Sequence, residues 1–84
     1  MTTAGDSPYR VSRRGEAVAK ALGKRIRTLR VTKGWSQERL ADEAGMHRTY
    51  MWGIEQGVRN PSLRHLSRLS TALAVPLCVL FEDI

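Results

Sequence analysis

Eighty-four residues, 42% of them apolar and with only two Trp, two Tyr and one Phe, suffice for one helical domain with a modest aliphatic core and exclude a second independent one. Fourteen Lys and Arg against eight Asp and Glu give a net charge of +6, which favours a polyanionic partner such as nucleic acid or an acidic membrane surface. A lone cysteine excludes an internal disulfide, and with neither a leader pattern nor an apolar run of about 18 residues the sequence reads as a soluble cytoplasmic protein without a membrane partner.

The charge is uneven. Met1 to Gly34 holds nine basic and two acidic residues, whereas Trp35 to Ile84 holds five basic and six acidic, so the positive field originates in the first third of the chain. Residues 1–14 mix Thr, Gly, Ser, Pro and Arg without an apolar period and read as a flexible basic arm, leaving residues 15–84 as the folded domain. From Glu16, the spacing of Val18, Leu22, Ile26 and Leu29 predicts an amphipathic helix that ends near Lys33, where Gly34 permits the turn.

Ser36 offers a capping oxygen to a second helix, Gln37 to Ala44, with Leu40, Ala41 and Ala44 inward and Gly45 as its stop. A third helix runs from about His47 to Gln56, with Met51 and Ile54 inward and Gly57 closing it. Pro61 and Ser62 precede a fourth, marked by Leu63, Leu66, Leu69 and Leu73. Pro76 favours a short fifth helix, Leu77 to Phe81, although the apolar run Val75 to Phe81 reads equally as a buried strand. Cys78 lies inside that run and is expected to be a small buried hydrophobe.

With Gln37 as the first residue of a two-helix unit, Ala41, Gly45, Met51 and Ile54 occupy its fifth, ninth, fifteenth and eighteenth positions. A small Ala41 lets the two helices approach, Gly45 takes the left-handed turn, and Met51 and Ile54 seal the pair onto the core. This spacing predicts a helix-turn-helix. On the third helix Arg48, Thr49, Trp52 and Gln56 then project clear of the core and are free to enter a major groove. Arg48 can give a bidentate pair to guanine, with phosphate contact as its simpler role, and Thr49 can meet a thymine methyl or several base edges. Trp52 must either touch DNA or bury against a loop, and Tyr50 either packs its ring or gives its hydroxyl to a phosphate. Ser36 and Gln37 mark a helix start that attracts a phosphate.

From Ile26 to Phe81 the chain resembles the phage-repressor-type (Cro/cI, XRE) helix-turn-helix domain. His47-Arg48-Thr49-Tyr50, Gly53-Ile54-Glu55, Arg59-Asn60-Pro61-Ser62-Leu63 and Leu80-Phe81 narrow the resemblance to the controller proteins of restriction-modification systems. The long basic N-terminus departs from the shortest controllers. The resemblance implies an all-α, five-helix lambda-repressor-like fold and a transcriptional regulator of double-stranded DNA. It implies a DNA-backbone contact by Gln37, and approach of Arg59 and Asn60 to DNA beyond the third helix. It further implies an ion pair between Arg30 and Glu55, and acidic positions, Glu38 and Asp42, that face the σ subunit of RNA polymerase.

Val75, Leu77, Val79, Leu80 and Phe81 are too many apolar residues for one short helix to bury alone, so a homodimer through the fifth helix and a near-palindromic operator are expected. No nucleophile with its base and no ligand-spaced His or Cys set is present, His47 and His65 falling on different helices, so neither catalysis nor a cofactor or metal is expected. The rival reading is an antitoxin, which would carry a tail to wrap its partner; the only candidate tail is the N-terminal arm.

Overall fold

The computed structural model describes residues 13–84, which form five helices: α1 (Arg13–Thr32), α2 (Gln37–Ala44), α3 (Arg48–Gln56), α4 (Leu63–Leu73) and α5 (Leu77–Leu80). Within the run Val75 to Phe81, Leu77–Leu80 form a short helix rather than a strand, with Pro76 at its N-cap and Phe81, expected as its last residue, at its C-cap. Residues 1–12 of the expected arm lie outside the described residues. Arg13 and Arg14, assigned to that arm, instead open α1, with Glu16 in the first turn where a carboxylate suits the helix dipole.

The local signals act where the sequence placed them. Ser36 caps α2 by accepting from the Arg39 N–H, Gly45 ends it at φ 65°, and Gly57 ends α3 at φ 76°. His47, at the edge of the expected third helix, is its N-cap: its Nδ1 accepts from the Thr49 N–H at 3.1 Å. Ala74, not a glycine, closes α4 in the left-handed region at φ 58°.

The core gathers Leu22 and Ile26 of α1, Leu40, Ala41 and Ala44 of α2, Met51 and Ile54 of α3, Leu66, Leu69 and Leu73 of α4, and Leu80 of α5. α1 crosses α3 closely because Gly23 carries no side chain. A Cβ there would stand 2.5 Å from the carbonyl oxygens of both Ile54 and Glu55. α5 is fastened back to α1 by Arg25, whose guanidinium donates to the Val79 carbonyl at 3.2 Å and the Glu82 carbonyl at 2.9 Å.

Three expectations are corrected. Leu63, counted in the α4 stripe, is 84% exposed, because it opens the helix a full turn before Leu66 reaches the core. Cys78, expected to be a small buried hydrophobe, is exposed. Leu80, counted among the residues left over for a partner, is fully buried in its own core.

Candidate nucleic-acid interface

The two-helix unit stands on an ion pair. Arg30, in the last turn of α1, donates from Nε to Glu55 Oε2 at 2.7 Å and from NH2 to Glu55 Oε1 at 3.0 Å, and its NH1 reaches the Trp35 carbonyl at 2.8 Å. Glu55 is the one buried charged residue among those described. Gln37 Nε2 adds a third hydrogen bond to Glu55 Oε1 at 3.1 Å, so the start of α2 and the end of α3 are held by one carboxylate. A buried charge needs such pairing, and here the pairing also fixes the angle between the two helices. Gln37 is thus half-buried with its amide engaged, while its backbone N–H remains at the open start of α2.

With Met51, Gly53, Ile54 and Glu55 turned inward, α3 leaves Arg48, Thr49, Trp52 and Gln56 exposed on one face. Arg48, Thr49 and Trp52 border a recess of about 300 Å³ together with Gln37. Trp52 is 51% exposed, which removes burial against a loop as the account of its position. The face combines a guanidinium fork, a hydroxyl with a methyl, and a flat apolar ring, the donor and contact types that read base edges in a major groove.

Beyond α3 the segment from Val58 to Ser62 is held by Tyr50. Its hydroxyl donates to the Asn60 carbonyl at 3.1 Å, its ring lies 4.7 Å from that of His65, and Arg59 rests over it at 5.7 Å. In the absence of DNA the Tyr50 hydroxyl is thus engaged within the chain and its ring is packed. Arg59 and Asn60 are both exposed. Gly53 makes room for Arg59, whose side chain lies where a Cβ would be.

Several contacts went unread in the sequence. Trp35 is stacked by Lys33 at 4.8 Å and Arg39 at 4.7 Å, and Arg39 is also paired to Glu43 at 3.1 Å. More consequential for the site, Arg48 NH1 lies 2.8 Å from Glu38 Oε2, joining the expected base reader to an expected polymerase contact. Opposite charges at the second and twelfth positions of the unit were the available signal. Asp42 is exposed one helical turn beyond Glu38.

At the C-terminal end, Val75 and Val79 are half-buried, and Leu77 and Phe81 are exposed. No helix among the described residues is long and apolar enough to cross a membrane.

Residues 21–80 match the model of a helix-turn-helix domain. The chain is 46% identical over 55 residues to the control protein C.BamHI of Bacillus amyloliquefaciens, covering 64% of this chain and 68% of that one. The restriction-modification controller protein C.AhdI of Aeromonas hydrophila superposes with a TM-score of 0.76 at 45% identity, over 77% of this chain and 98% of that one. The biofilm regulator SinR in complex with DNA superposes with a TM-score of 0.69 at 35% identity, over 73% of this chain and 98% of that one.

Proposed function

This chain belongs to the helix-turn-helix family, and from that membership we propose that it is a sequence-specific, DNA-binding transcriptional regulator of the restriction-modification controller type. One observation carries the reading: the outward face of α3 bears Arg48, Thr49, Trp52 and Gln56, while the inward face is locked by Glu55 to α1 and α2. A fixed helix with a free, hydrogen-bonding face is what direct readout of base edges requires. Arg48 and Thr49 read bases from the first turn, Trp52 contacts the groove wall, and Ser36, Gln37, Arg59 and Asn60 flank the reading helix along the backbone.

The working form is a homodimer that pairs through the α5 end, where Leu77 and Phe81 are exposed beside half-buried Val75 and Val79. Two reading helices related by a two-fold axis call for a near-palindromic operator with half-site centres about 10 base pairs apart. Activation of transcription rests on Asp42 and the unpaired oxygen of Glu38 as a weak contact to the σ subunit. A reporter with Asp42→Asn, which leaves the contact of Glu38 with Arg48 in place, tests this: activation falls while operator affinity is kept. The central reading is tested by selecting bound sites from random DNA with the purified full chain. Enrichment of a two-fold symmetric motif is the expected result, and the absence of any enriched sequence overturns it.

A further inference from the structure

We propose that Glu38 is a positioning residue that sets base specificity through Arg48, an inference that rests on the DNA-reading role given to α3. The two side chains come from different helices ten residues apart and meet at 2.8 Å through Arg48 NH1 and Glu38 Oε2. Both are about two-thirds exposed, so the contact lies at the rim of the reading face rather than inside the fold. Arg39, next to Glu38 in sequence, is held instead by Glu43 and by the ring of Trp35.

The contact uses one of the five N–H donors of the guanidinium, so the rest of the fork remains available at the recess shared with Gln37, Thr49 and Trp52. An unrestrained arginine at the first turn of α3 would sample many rotamers and be drawn to whichever phosphate came near. Glu38 acts against both tendencies. It limits the rotamers, which lowers the ordering cost of docking on a base pair, and it offsets the charge that pulls Arg48 toward the backbone. Guanine, with two acceptors in the plane of the fork, then gains over phosphate as a partner. Discrimination is therefore divided between a residue that touches DNA and one that aims it.

Removal of charge alone would strengthen binding to every DNA equally, so two variants separate the roles. Glu38→Ala removes contact and charge; Glu38→Asp keeps the charge and withdraws the carboxylate by one methylene. Affinity of each for the selected operator and for random duplex DNA is measured by fluorescence anisotropy. Positioning predicts that the operator-to-random ratio narrows about threefold in both, the scale of one exposed ion pair. It also predicts that the loss is confined to the base pair read by Arg48 and vanishes in an Arg48→Ala background. An unchanged ratio in both variants, with the parent still preferring its operator, overturns the role of Glu38 alone. A parent chain with no operator preference overturns the DNA-reading assignment instead.

Discussion

Arg30 and Glu55 form a two-point ion pair that joins the last turn of α1 to the last turn of α3, 25 residues apart in sequence. The side chain of Glu55 is 1% exposed and that of Arg30 13%, so neither charge can recover its hydration if the other is removed. Glu55→Ala is expected to cost about 3–5 kcal/mol in urea denaturation. Replacing both residues together by apolar side chains of similar size costs less than either single change, because no charge is stranded. Equal stability of Glu55→Ala and the parent would contradict the pairing.

Gly23 gives a prediction whose sign is decided by two opposing magnitudes. Alanine improves helix propensity by about 1 kcal/mol. Its Cβ would meet the carbonyl oxygens of Ile54 and Glu55 at 2.5 Å, and these are backbone atoms of a packed helix. Forcing α1 and α3 apart costs about 1–3 kcal/mol. Gly23→Ala is therefore expected to lower the melting temperature, and a rise would show that the helices separate freely.

Arg48→Ala is expected to relax preference at one base pair and weaken operator binding by about 1–3 kcal/mol. Substituting Arg10, Arg13 or Arg14 is expected to weaken binding to all DNA alike and to flatten the dependence of affinity on salt. Titrations on operator and random duplex at several salt concentrations distinguish these effects. Equal losses on both DNAs for Arg48→Ala would assign it to phosphate.

Neighbouring positions on α5 are expected to respond in opposite ways. Leu77→Glu, at a side chain 47% exposed, should leave the chain folded and make it sediment as a monomer at micromolar concentration, where the parent is expected to be a dimer. Leu80→Ala, in a fully buried position, should cost about 2–5 kcal/mol of stability. A parent that sediments as a monomer would remove the dimer.

Much of the fold was legible because its signals are local. Ser36, Gly45 and Gly57 act on residues within a few positions of themselves, and the spacing of Leu40, Ala41, Met51 and Ile54 fixes an inward face without knowledge of its partner. The misplaced residues depend on distant geometry. Leu63 is apolar and in register with Leu66, yet one turn too early to meet α2, while the run containing Cys78 and Leu80 divides between solvent and core by the roll of a single helical turn. The site divides likewise. Exposure of Arg48, Thr49 and Trp52 follows from the period of α3, but the grip of Glu38 on Arg48 and of Tyr50 on Asn60 crosses turns whose geometry no single helix specifies.

The clasp of Arg25 on the carbonyls of Val79 and Glu82 spans 54 and 57 residues, and Leu80 completes the core from the same segment. During synthesis the reading helix emerges well before the residues that close the core above it. A nascent chain stopped short of residue 79 carries the whole of α3 but lacks both the clasp and the buried leucine. The exposed face of α3 is therefore fixed in place only once residues 79–82 have packed, so a product truncated before them is expected to lack a stable fold and to bind DNA weakly.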